Sequence, residues 1–213
     1  MCTFSNTHSE LDICLDPQFV TYQSAIKLEL ESSNTKKYYL NSQPDQNYGS
    51  GSGQQVVTFS PKKTDQSTLW VVREGHNEPQ IEAGKPVKCG TTIRLTHNSS
   101  NRNLHSHLVR SGLTGNQEVS GFGNGGEGDD SDNWKVVCSG RHEDNNWERG
   151  NNRKVRLLHV STHKYLMAAT DAKYTKRNCG GNCPILNHLE AFAKNFLSSD
   201  SLLAVTGGIH LTL

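Results

Sequence analysis

Apolar and polar positions alternate in three segments that repeat one another. Leu28-Glu29-Leu30, Ile93-Arg94-Leu95 and Val155-Arg156-Leu157 each put two apolar side chains on one face of an extended chain, with a charge on the other. About ten residues later each segment reaches a second apolar anchor, Tyr39-Leu40, Asn103-Leu104 and Tyr165-Leu166. The first two then carry a glycine and an amide-rich run, Gly53-Gln54-Gln55-Val56-Val57-Thr58 and Gly115-Asn116-Gln117-Glu118-Val119-Ser120, and close on a tryptophan strand at Trp70 or Trp134. Self-similarity at a fixed period, here about 65 residues, marks a repeat architecture. Each unit reads as strand, turn, short strand, loop, strand, loop, strand. Trp70 and Trp134 recur at one strand position, which predicts that they plug a core. Leu189 to Phe196 falls where the third unit needs a strand and is read as strand or loop.

Three four-stranded units predict twelve strands. One unit cannot bury its own apolar face, and an open sheet would leave unpaired edges, so the units must close on one another. An all-β, pseudo-threefold β-trefoil satisfies this in one domain. The expected organisation is a polar tail over residues 1–18 and a trefoil over 19–213, with repeats at about 21–74, 87–140 and 147–211.

The low hydrophobic content, 33%, fits many short strands and turns better than disorder, because β-branched and aromatic residues alternate between the turns. A formal net charge of +1 gives no electrostatic case for nucleic acid or an anionic membrane. No apolar run approaches a membrane span. Residues 1–16 lack the basic start and apolar core of a secretory signal. The six cysteines point the other way. Cys89 precedes the first strand of repeat two and Cys138 follows its last, and these strands lie side by side in a closed unit, so a Cys89–Cys138 disulfide is predicted. Cys179 and Cys183 are close enough for a local one. Asn98-Ser99-Ser100 is a glycosylation sequon with Asn98 as acceptor. Together these signals favour an oxidising compartment.

The candidate chemistry is concentrated in repeat two. His105 and His107 share a face of one strand and Ser106 takes the other, with Arg102, Asn116, Gln117 and Glu118 nearby. Such groups can exchange hydrogen bonds with sugar hydroxyls or an extended peptide. They can equally satisfy backbone groups at tight turns. No metal is expected. His97, His105 and His107 lack a convergent ligand set for zinc, and Glu127, Asp129, Asp130 and Asp132 lack calcium-loop spacing. Cys179 and Cys183 do not have redox-motif spacing. No catalytic residues and no cofactor are assigned, because no nucleophile elbow, triad order or phosphate loop is present.

Val87-Lys88-Cys89-Gly90, Ile93-Arg94-Leu95-Thr96-His97 and Arg102-Asn103-Leu104-His105-Ser106-His107 resemble the MIR motif. Gly115 to Phe122, Gly126-Glu127-Gly128-Asp129, Asp132-Asn133-Trp134 and Tyr48-Gly49-Ser50-Gly51-Ser52-Gly53-Gln54-Gln55 resemble the stromal cell-derived factor 2 family. The resemblance implies a trefoil of three MIR motifs, residence in the endoplasmic reticulum lumen, and quality-control work with a lumenal J-domain co-chaperone and an Hsp70-type chaperone on unfolded or glycosylated clients. The chain departs from the family at Tyr22-Gln23, where Cys-Gly is usual, and at Leu40-Asn41-Ser42-Gln43 and Leu166-Met167-Ala168-Ala169, which replace the Leu-His-Ser-His run. It ends without a Lys/His-Asp-Glu-Leu retention signal, so retention would depend on a partner. The competing expectation is a trefoil lectin that binds mannose-type glycans directly. The scaffold positions Leu30, Leu95 and Leu157 repeat, whereas His105-Ser106-His107 and Asn116-Gln117-Glu118 are complete only in repeat two. A single working face is therefore expected.

Overall fold

The computed structural model describes residues 18–31, 35–195 and 202–210. The predicted tail, with Cys2 and Cys14, lies almost wholly outside them. Repeat one supplies β1 (Ser24–Glu31), β2 (Lys37–Asn47), β3 (Gln55–Ser60) and β4 (Trp70–Glu74). Repeat two supplies β5 (Thr92–His97), β6 (Asn103–Arg110), β7 (Gln117–Phe122) and β8 (Trp134–Cys138). Repeat three supplies β9 (Val155–His159), β10 (Lys164–Met167), β11 (Leu189–Glu190), β12 (Phe192–Lys194) and β13 (Leu203–His210), with a single helical turn, α1 (Lys176–Cys179). The segment read as strand or loop over Leu189 to Phe196 holds, as far as it is described, two short strands separated by Ala191; Phe196 lies outside the described residues.

Six strands close a barrel through the antiparallel pairs β1–β4, β4–β5, β5–β8, β8–β9, β9–β13 and β13–β1. The remaining strands form three hairpins that cap one end, joined by β3–β7, β7–β12 and β11–β3. This is the all-β trefoil in its closed form, and it leaves the barrel without an edge. Leu28, Leu40, Phe59, Leu95, Leu104, Leu157, Leu166 and Leu189 are fully buried in one core. The alternation that reads as strand in the sequence is therefore the barrel interior facing inward.

Trp70 and Trp134 are buried and do more than fill volume. The Trp70 indole donates to Leu40 O at 3.0 Å and packs on His97 at 5.0 Å between ring centroids. Trp134 donates to Leu104 O at 2.8 Å and packs on His159 at 4.9 Å. His97 Nε2 donates to Ser67 O (3.0 Å), which leaves Nδ1 to accept from Ser100 Oγ (2.8 Å). His159 repeats the arrangement with Ser131 O (2.9 Å) and Thr162 Oγ1 (2.7 Å). Each tryptophan–histidine pair joins one repeat to the next. Burial lowers the His97 pKa to about 4, against weaker opposing effects of Ser67 O and Asp65, and it lowers that of His159 in the same way.

A disulfide joins Cys89 to Cys138 with 5.6 Å between Cα atoms, tying the approach to β5 to the end of β8. A second closes the Cys179–Cys183 loop, with Cα atoms 5.3 Å apart. No helix among the described residues is long and apolar enough to cross a membrane.

Candidate functional site

The residues expected to form one polar site in repeat two do not come together as one. Ser106 and Gln117 face inward. Ser106 Oγ is fully buried and donates to Glu118 O at 2.7 Å, while Gln117 Nε2 donates to Ser106 Oγ (2.8 Å) and Thr162 Oγ1 (3.0 Å). Repeat one builds the same network. Ser42 Oγ donates to Val56 O (3.0 Å), and Gln55 Nε2 donates to Ser42 Oγ (2.6 Å) and Ser100 Oγ (2.9 Å). These polar positions repeat after all, which corrects the expectation that only the apolar scaffold does. Both residues close a hairpin and fasten it to the following repeat, so Ser106 is withdrawn from any partner.

Glu118 is also buried, and its carboxylate enters the β2–β3 hairpin tip, where it accepts from the Ser52 hydroxyl. A Cβ on Gly51, at φ +73°, would lie 2.2 Å from Glu118 Oε2, so the tip can receive the carboxylate only with glycine there. Desolvation raises the Glu118 pKa, assisted by nearby Glu190 and opposed by the Ser52 bonds. Glu190 does the equivalent at the β6–β7 tip, accepting from Leu113 N (2.6 Å), Thr114 N (2.9 Å) and Ser111 Oγ (3.0 Å). At the third tip the corresponding residue is Val56, packed on Tyr174 and Ile185 beside the Cys179–Cys183 loop. Each cap hairpin is thus held by a residue of a neighbouring one, twice by a carboxylate and once by apolar contact.

His105 is buried, and its Nδ1 donates to Asp132 Oδ1 at 2.8 Å. Asp132 Oδ2 accepts from Asn103 Nδ2 and Asp129 N, each at 3.0 Å. Phe122 and His107 flank the His105 ring, with centroids 4.5 and 5.0 Å away. His105, Asp129 and Asp132 come close enough to present three metal-type ligand atoms. The oxygens of Asp132 are, however, engaged in capping the short turn at Asp130–Asp132 and in orienting His105, so the trio reads as a turn-stabilising network. The zinc set weighed from the sequence does not converge, since both ring nitrogens of His97 are occupied. His107 is partly buried with an unpartnered Nδ1, and burial, with His105 nearby, lowers its pKa. Arg102 contributes its carbonyl, which accepts from His97 N at 2.7 Å.

Asn116 is the exception. It lies at the mouth of a groove of about 440 Å³ between the β6–β7 hairpin and β10 and β12 of repeat three. Leu108, Arg110, Gln117, Lys164 and Lys194 line the groove with it. Leu108 is 82% exposed, and no carboxylate among the described residues lines the groove. Asn98, the sequon residue, is exposed on the turn after β5. The structure therefore separates Asn116 from the histidines and brings it together with repeat-three residues that sequence reasoning missed.

The MIR-domain family model matches residues 27–181. The chain belongs to the stromal cell-derived factor 2 family. It is 45% identical over 151 residues to stromal cell-derived factor 2-like protein 1 of Bos taurus, an alignment covering 71% of this chain and 63% of the relative. The chain thus spans less than two thirds of that relative's length. The crystal structure of the family's Arabidopsis thaliana protein superimposes with a TM-score of 0.76 at 35% identity, covering 92% of this chain and 98% of that one. The protein O-mannosyltransferase complex of S. cerevisiae shares the fold, with a TM-score of 0.72 at 23% identity over 94% of this chain and 27% of that one. The MIR β-trefoil of the family is thus the fold of this chain. The two disulfides among the described residues are of the kind that persist in secretory compartments.

Proposed function

We propose that this chain is a non-enzymatic binding protein of the endoplasmic reticulum lumen that serves protein quality control. It would join a J-domain co-chaperone and an Hsp70-type chaperone and contact unfolded or glycosylated clients. Family membership supports the setting, and the disulfides support the compartment. The observation that carries the binding role is the division of labour in repeat two. Ser106, Gln117, Glu118 and His105 are occupied with scaffold bonds, while the groove beside Asn116 presents exposed and half-buried cationic, amide and apolar groups together. Mixed linings of this kind suit a polymer ligand that offers both polar and apolar groups.

The test is a pull-down from lumenal extract, in an oxidising buffer, with the folded chain as bait. Recovery of a J-domain protein together with an Hsp70-type chaperone is the expected result. Recovery of neither, by a chain with the Cys89–Cys138 and Cys179–Cys183 disulfides intact, would contradict the proposal. A glycan array run in parallel separates direct sugar recognition: strong binding lost on Asn116→Ala would move the primary role from chaperone complexes to a lectin.

A further inference from the structure

We infer that the groove between the β6–β7 hairpin and β12 binds an extended acidic polypeptide segment carrying an apolar residue. This rests on the binding role proposed above and names the chemistry of the client.

Two features of the groove select that occupant. Arg110, Lys164 and Lys194 line it, make no ion pair among the described residues, and have no carboxylate in the lining to neutralise them. The chain as a whole is near neutral at +1, so this cluster is a local departure and not a share of a general surplus. Leu108, 82% exposed, adds an apolar contact at the same rim. A bare inorganic anion would leave it in water, whereas a peptide can cover it with a side chain. A polypeptide can offer both at once: acidic side chains answer the three cations, and one apolar side chain answers Leu108. The β7–β12 pairing joins the two sides of the groove, and the Glu190 carboxylate of β11 fixes the β6–β7 tip. The site is therefore preorganised, which limits the ordering cost of binding.

The direct test is fluorescence anisotropy with a labelled peptide of alternating Glu and Leu, compared with its Gln/Leu counterpart. The expected result is binding of the acidic peptide at least about tenfold tighter than the neutral one, weakening steeply as salt rises from about 0.05 M to about 0.5 M. The triple variant Arg110→Ser, Lys164→Ser, Lys194→Ser should lose at least about tenfold in affinity, and Leu108→Ser roughly threefold, with unchanged thermal unfolding. Equal binding of the two peptides, or an unaffected triple variant, would overturn the inference. So would displacement of the peptide by millimolar inorganic phosphate or a sugar phosphate, which would make this a small-anion site. Repeating the lumenal pull-down with the triple variant keeps the two proposals apart. Chaperones retained without peptide binding in the parent chain would refute this inference alone, and chaperones absent even with the parent chain would refute the wider role.

Discussion

Ser106 holds the β6–β7 hairpin only while its hydroxyl both donates to Glu118 O and accepts from Gln117. Ser106→Ala strands a buried amide donor and should cost about 1–3 kcal/mol, read as a lower urea midpoint at unchanged slope. Ser42→Ala should cost about the same, since repeat one builds the same network. Histidine protonation gives the pH dependence its sign. The pKa values of His97 and His188 are lowered to about 4 by burial, so both are neutral in the folded chain. A folded pKa below the unfolded one gives stability that is complete above pH 6.5 and lost as pH falls towards about 4, roughly 3 kcal/mol for each residue. Glu118 runs in the opposite sense, because its raised pKa favours the fold when protonated and loses that advantage as pH rises. Urea titrations at pH 7 and pH 4.5 should show a marked acid loss in the parent chain and a smaller one in His97→Gln. Equal losses would show that His97 does not carry the effect.

At the scale of elements, the strands were legible because the barrel imposes a period of two on apolar positions, as at Leu28 and Leu30. The polar network was legible in principle too. Setting Gln55-Val56-Val57-Thr58 under Gln117-Glu118-Val119-Ser120 aligns the two glutamines, and Leu40-Asn41-Ser42 set under Leu104-His105-Ser106 aligns the two serines once the intervening loop of repeat one is given its two extra residues. The partnership of Glu190 was hidden, because the α1 turn and the Cys179–Cys183 loop displace repeat three and leave no spacing to count. The groove was hidden for a related reason: it joins Arg110 to Lys194, and only closure of the cap brings them together. The long-range disulfide acts on the same scale. Cys89 and Cys138 are 49 residues apart, and removing the link frees that loop in the unfolded chain. Cys89→Ala with Cys138→Ala should destabilise by about 2–4 kcal/mol, more than Cys179→Ala with Cys183→Ala, whose loop spans only 4. Thermal unfolding of the two double variants checks the order.

For the whole molecule, each of the six barrel strands is paired on both sides, so recognition falls to side chains on its surface. In the middle repeat the motif residues hold the cap in place, and the junction between repeats two and three carries the groove proposed to meet a client. On that proposal the pseudo-threefold frame yields one working face by symmetry breaking: Val56, Glu118 and Glu190 occupy corresponding places, while the second hairpin borders the cationic groove. The most direct test is the affinity for the Glu/Leu peptide of two variants, measured well below their unfolding temperatures. Ser106→Ala should bind as the parent does, despite its lower stability, and the Arg110, Lys164, Lys194 triple variant should bind at least about tenfold more weakly despite full stability. Loss of binding in Ser106→Ala with retention in the triple variant would contradict the account.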